Sequence, residues 1–209
     1  MSLINNPLNW LRQQVRGLFK SIAGFLNHLS GGKLSPNAIT FTGLLAHIPI
    51  AYLIADGKHV QAAVLLVVFG LFDTLDGELA RLQKRDGPIG MLLDSSTDRM
   101  KEIFLYCGVG YSLIESGRPY MAVWAILALG TSILVSYTNA WGEAVMSKAG
   151  LKSQVNRNFR GGIMSFEIRI ATLIIGLLSG ELAISIIVIA IFSWVTVIQR
   201  LIGITRKIR

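Results

Sequence analysis

Uncharged apolar runs such as Met121–Val135 and Ala183–Ile198 are the strongest constraint on what this chain can fold into. A membrane-spanning helix needs about 20 predominantly apolar residues, and in hydrocarbon only helices and closed barrels satisfy their own backbone. Charged residues make up only 15% of the 209, against roughly 25% in soluble domains, so lipid rather than water is the expected solvent. Hydropathy places six spans, at 38–55, 60–82, 90–114, 119–142, 162–179 and 182–203. Ahead of them, Trp10, Leu11, Val15, Leu18, Phe19, Ile22, Phe25 and Leu26 alternate at helical spacing with Arg12, Arg16 and Lys20. That pattern suits a helix lying on an anionic membrane surface, or one packed on a partner. The expected fold is an all-α integral membrane protein, six transmembrane helices preceded by an interfacial amphipathic helix. Residues 1–209 are read as a single membrane domain, with 1–34 as its juxtamembrane segment.

The net charge of +8 is distributed very unevenly along this layout. Of the 20 Lys and Arg residues, all but Lys58 and Arg118 fall on the side that holds the N-terminal segment, the 83–89 and 143–161 loops and the C-terminal tail. By the positive-inside rule that side is cytoplasmic. The charge therefore sets topology and attracts anionic lipid head groups, and no nucleic acid partner is needed to explain it. The one cysteine, Cys107, allows no intrachain disulfide, and His28, His47 and His59 lack metal-ligand spacing.

Acidic residues inside membrane spans are costly, and here four cluster in Phe72–Met100. Asp73 and Asp76 lie three apart at the end of the second span; Asp94 and Asp98 lie four apart at the start of the third. Each pair shares one helical face. The break at Asp86-Gly87-Pro88 makes a short hairpin that brings the two helix ends together. Carboxylates packed so closely raise one another's pKa, and a divalent cation relieves the repulsion. Oxygen-only ligands suit Mg²⁺ or Mn²⁺, and two such ions clamp a pyrophosphate for in-line attack at phosphorus. Gly77 and Ala80 leave a notch for a nucleotide, Arg81 suits a phosphate, and Gly90 thins the facing helix. Any one pair of acids could instead be solvated, or paired with Arg81, Lys84, Arg85 or Arg99. The combined spacing argues against that plainer reading.

The spacing Asp73-x2-Asp76-Gly77-x2-Ala80-Arg81-x8-Gly90-x3-Asp94-x3-Asp98 resembles, at every fixed position, the signature of the CDP-alcohol phosphotransferase family. The six-span layout and the Leu34–Thr40 segment before the first span extend the likeness. The resemblance implies a phosphatidyl transfer from CDP-diacylglycerol, or its ether-lipid equivalent, to a small polar alcohol, with release of CMP. It implies Asp73, Asp76 and Asp94 as metal ligands, and Asp98 as the general base that also touches a metal. Gly77, Ala80 and Arg81 would hold the CDP moiety, with Asn37 and Thr40 near the nucleotide. Family members are commonly homodimers, and the same is expected here; the charge asymmetry places the protein in the cytoplasmic (inner) membrane with the active site facing the cytoplasm.

The signature is silent on the acceptor. Lys148, Lys152, Arg157, Arg160 and Arg169 form a cationic stretch suited to an acceptor that carries phosphate, although positive-inside bias also accounts for them. Ser136-Tyr137, Ala140, Glu143, Gly162-Ile163, Arg169 and Thr196-x2-Gln199-Arg200 resemble the phosphatidylinositol-phosphate synthase branch. Ser165-Phe166 and Trp141-Gly142 depart from it. Inositol phosphate is thus the expected acceptor, bound by Arg169, Lys148, Arg157 and Arg160, with glycerol 3-phosphate the alternative. An ion transporter is the non-enzyme alternative, but its acids belong near the middle of the bilayer. A prenyltransferase would need a second, distant Asp-rich motif.

Overall fold

The computed structural model describes residues 7–150 and 162–208, apart from the side chains of residues 7–16 and 73. The described residues contain helices and no strand. In chain order these are α1 (Pro7–Leu29), α2 (Pro36–Ala55), α3 (His59–Gly70), α4 (Phe72–Leu82) and α5 (Pro88–Glu115). A 3₁₀ turn at Pro119–Met121 leads into α6 (Ala122–Lys148), followed by α7 (Phe166–Ser179) and α8 (Leu182–Ile208).

Four stretches are long and apolar enough to cross a membrane: Pro36–Ala55, His59–Leu82, Pro119–Lys148 and Leu182–Ile208. The sequence pattern led us to expect six. Helix α5 is long enough, but Asp94, Asp98, Arg99, Lys101 and Glu102 interrupt its apolar character. Helix α7 has only 14 residues, about 21 Å at 1.5 Å per residue, against roughly 30 Å of hydrocarbon. The second expected span also contains a break. The Leu71 N–H donates to Val68 O instead of continuing the i→i−4 ladder, and the helix resumes at Phe72. Gly70, a poor helix former, immediately precedes the break.

The chain divides into two compact units, residues 1–49 with 65–101, and residues 50–64 with 102–209. In the first, α1 packs on α4. Phe19 and Ala23 are buried with Leu75 and Leu79 of α4 and Ile39 of α2, flanked by Ile22, Leu26, Leu34 and Phe72. Leu18, Phe25 and Leu29 stay exposed, so α1 buries one apolar stripe in protein and presents another outward. At the end of α4 the chain turns through Lys84, which adopts a left-handed backbone (φ 55°). The Arg85 N–H bonds Ala80 O and the Lys84 N–H bonds Arg81 O, a Schellman ending that satisfies the last carbonyls of the helix. Gln83 Nε2 donates to both Asn27 Oδ1 and Leu34 O at 2.8 Å, tying this turn to the α1–α2 connection.

In the second unit α6 and α8 pack along one another, and α7 packs on α8. The buried stripe of α6 includes Ala125, Ala128, Thr131, Ser132 and Gly142; that of α8 includes Ala183, Ser185, Ala190 and Ser193. Small residues let helix backbones approach closely where lipid offers no hydrophobic drive. Two polar side chains tie the helices internally: Thr196 Oγ1 accepts the Met164 N–H (3.0 Å), and Arg200 Nη1 donates to Val135 O (2.8 Å). Gly108 marks the tightest backbone approach, since a Cβ there would lie 2.4 Å from Ala51 O. Gly108→Ala is therefore expected to cost about 1–3 kcal/mol and to lower the melting temperature in detergent. Gly130→Ala, which meets nothing within 4 Å, should leave it unchanged or slightly raised. Equal melting temperatures for the two variants would contradict this packing.

Candidate active site

In the first unit, the start of α2, the face of α4 and the start of α5 enclose a cavity of about 540 Å³. Asn37 and Thr40 line it from α2, Asp76, Gly77, Ala80 and Arg81 from α4, and Gly90 and Asp94 from α5. The placement follows from helical periodicity. Asp76, Gly77, Ala80 and Arg81 fall on one side of α4 at spacings of one, three and four, and Pro36 and Pro88 begin the helices that face them. Asp76 is buried, and its Oδ2 accepts a short hydrogen bond from the Thr40 hydroxyl. Arg81 is half-exposed; its Nη2 lies 2.7 Å from Oε1 of the buried Glu78, and Nε lies 3.4 Å from Oε2. A Cβ on Gly77 would meet only the Arg81 guanidinium, at 3.7 Å, and one on Gly90 would meet nothing. Both glycines therefore leave open space beside the carboxylates.

The donors facing this cavity are carboxylate and hydroxyl oxygens, which fit in kind a hard divalent cation rather than zinc. Among the described residues no three His, Cys, Asp or Glu side chains stand together as a metal group. Asp73 sits on α4, but its side chain lies outside the described residues. Asp98, one turn beyond Asp94 on α5, is not among the lining residues. Its Oδ1 lies 3.4 Å from Lys101 Nζ and its Oδ2 lies 3.5 Å from Arg99 Nη2.

A family model for CDP-alcohol phosphatidyltransferases matches residues 33–204. The chain belongs to this family. As a CDP-alcohol phosphatidyltransferase it is a transferase of phospholipid biosynthesis, which sets aside the ion-transporter alternative. It is similar to an archaetidylinositol phosphate synthase of Methanothermobacter thermautotrophicus, 29% identical over 97% of this chain and 96% of that protein. It is also similar to a phosphatidylinositol phosphate synthase of Mycolicibacterium smegmatis, 29% identical over 80% of this chain and 76% of the relative. Among solved structures, the Mycobacterium tuberculosis phosphatidylinositol phosphate synthase with CDP-DAG bound superposes with a TM-score of 0.76. It is 25% identical, with 89% of this chain and 92% of that one covered. The same synthase in complex with manganese and citrate gives a TM-score of 0.75 at 26% identity, covering 89% and 88%.

The expected acceptor residues of this phosphatidyltransferase have different surroundings. Lys148 is exposed at the end of α6, and Arg157 and Arg160 lie outside the described residues, as does Lys152. Arg169 belongs to the second unit and is 1% exposed. Its Nε and Nη2 hold the two oxygens of the fully buried Glu102 at 2.7 and 3.2 Å, and its Nη1 donates to Met164 O at 3.0 Å. Glu78, Lys101 and Glu102 were missed from the sequence. Their only signal was a charged residue at a membrane helix position, with nothing to name the partner. Arg169→Met should remove the two-point partner of the buried Glu102, costing about 3–5 kcal/mol, with much of the loss recovered in the double variant Glu102→Met/Arg169→Met. Thermal unfolding of both in detergent checks this. An unchanged melting temperature for Arg169→Met would show that the pair is not a structural tie.

Proposed function

We propose that this enzyme transfers the phosphatidyl group of CDP-diacylglycerol, or its ether-lipid equivalent, to a hydroxyl of inositol phosphate at the Asp76–Asp94 cavity. The reading is carried by the convergence of Asp76, Asp94, Thr40 and Arg81 on one open space within a matched family domain. Likeness along nearly the whole chain to proteins named archaetidylinositol phosphate synthase favours that acceptor over glycerol 3-phosphate.

In this reading Asp73, Asp76 and Asp94 hold the divalent cation, Mg²⁺ or Mn²⁺ and two ions in number, with Asp98 in reach of one. When bound, the cation neutralises the pyrophosphate charge that grows as CMP departs. The chain's own residues do the rest. Thr40 fixes the Asp76 carboxylate, Arg81 meets the pyrophosphate with its planar fork, and Gly77, Ala80 and Asn37 admit the cytidine moiety. Asp98 takes the proton of the acceptor hydroxyl. That oxygen bonds to the phosphorus next to diacylglycerol, the bond from this phosphorus to the bridging oxygen breaks, and CMP keeps the electron pair. Lys148, Arg157 and Arg160 draw in the anionic acceptor. Arg169, held by Glu102, adds positive potential that favours the acceptor phosphate.

The membrane arrangement in this reading has six spans, α5 and α7 completing the four apolar ones, in a single membrane domain. The outward stripe of α1 lies at the interface, and the charge asymmetry puts the active site on the cytoplasmic face of the cell membrane. The enzyme works as a homodimer.

The test incubates purified protein with CDP-diacylglycerol, Mg²⁺ or Mn²⁺ and separate alcohols, and measures CMP release and the lipid product by mass spectrometry. Inositol phosphate should support release, chelation should abolish it, and Asp98→Asn should bind the CDP-lipid while losing most transfer. Release with glycerol 3-phosphate alone would overturn the acceptor. Equal loss of binding and transfer in Asp98→Asn would make Asp98 chiefly a metal ligand.

A further inference from the structure

Lys101 has no part in the chemistry so far, yet its placement is the most demanding in the first unit. It is 0% exposed, so its ammonium cannot snorkel to the membrane surface as lysines in apolar helices usually do. A lysine kept fully buried must be answered by negative charge or hydrogen-bond acceptors. Lys101 lies one turn after Asp98 on α5, and its Nζ is 3.4 Å from Asp98 Oδ1. The other oxygen, Oδ2, faces Arg99 Nη2 at 3.5 Å, and the Arg99 side chain is partly exposed (23%). The two carboxylate oxygens of Asp98 are thus inequivalent. Oδ1 is turned to a buried cation carried by the same helix, while Oδ2 is on the more accessible side.

We propose that Lys101 is a positioning residue for Asp98: its buried ammonium fixes Oδ1 and so aims Oδ2 at the acceptor hydroxyl. This rests on the reading of Asp98 as the proton acceptor. Reach and alignment to the transferred proton decide whether a base works, and a carboxylate free to rotate about χ2 samples many unproductive orientations. A cation at i+3 restricts that rotation without occupying the reactive oxygen. Arg99, next to Asp98 in the chain, faces only Oδ2 and leaves Oδ1 to Lys101.

The test uses full-length protein in detergent or nanodiscs and compares Lys101→Met, which keeps the volume, and Lys101→Gln, which keeps a donor, with Asp98→Asn. Arg99 still faces Asp98 in Lys101→Met, so that carboxylate keeps a cation beside it. The expected result is a kcat lowered roughly 10–100-fold, the range seen when a residue supporting a functional group is lost. KM for CDP-diacylglycerol and for the acceptor should stay within about threefold. Mn²⁺ affinity, read by electron paramagnetic resonance titration, should hold or tighten, since a positive charge has been removed. Lys101→Gln should lose less than Lys101→Met. A kcat within threefold of wild type in Lys101→Met, with Asp98→Asn inactive, would overturn the Lys101 proposal alone. Retained transfer in Asp98→Asn would overturn the reading of Asp98 beneath it. Parallel loss of melting temperature, Mn²⁺ binding and both KM values would assign Lys101 to the scaffold. So would failure of both Lys101 variants to fold while Asp98→Asn folds. Either outcome would also overturn the proposal.

Discussion

A charged side chain placed where hydrocarbon replaces water must be answered from within the protein, and α4 and α5 are arranged around that requirement. Asp76 receives the Thr40 hydroxyl, Glu78 receives Arg81, and Asp98 lies between Lys101 and Arg99. In the second unit Glu102 is held by the fork of Arg169. Each of these contacts offsets a desolvation cost that the attraction between the two charges alone does not reliably cover. Each also fixes a side chain in one orientation, which is what a site built to receive a pyrophosphate needs.

The same pairing separates the charged residues by what they can do. Asp76 and Asp94 open onto a cavity beside two glycines with empty space next to them, so charge there is available to a ligand. Arg81 is half-exposed despite its bond to Glu78, leaving part of its guanidinium to reach outward. Lys101, Glu102 and Arg169 are sealed from solvent. A polar pocket is thereby kept at the helix ends.

Much of this was legible in the sequence because the signature is local. Asp76, Gly77, Ala80, Arg81, Gly90 and Asp94 all lie within two helix ends joined by a short turn, and helical periodicity alone puts them on facing surfaces. Helix positions in the spans followed hydropathy for the same reason. What stayed hidden depends on distant pairing: Arg169 finds Glu102 across 67 residues of chain, and nothing in either neighbourhood names the other. Arg169 consequently read as one of the cations offered to the acceptor phosphate, when the fold buries it. The break at Leu71 was equally invisible, since one glycine is tolerated inside a helix and only the hydrogen bond to Val68 O reveals the change of pitch. The short α7 and the charged α5 show the limit of hydropathy as a guide. It placed spans there without weighing the charges of α5 or the 14-residue length of α7.

The central claim is that the carboxylates at the ends of α4 and α5 form a divalent-cation site serving phosphatidyl transfer. Titration of the purified, lipid-free enzyme with Mn²⁺, followed by electron paramagnetic resonance, tests this most directly because it needs no knowledge of the acceptor. Saturable binding that Mg²⁺ displaces and that Asp76→Asn and Asp94→Asn each weaken at least tenfold, with melting temperatures preserved, is the predicted result. Binding that is unaffected by either substitution in folded protein would contradict it.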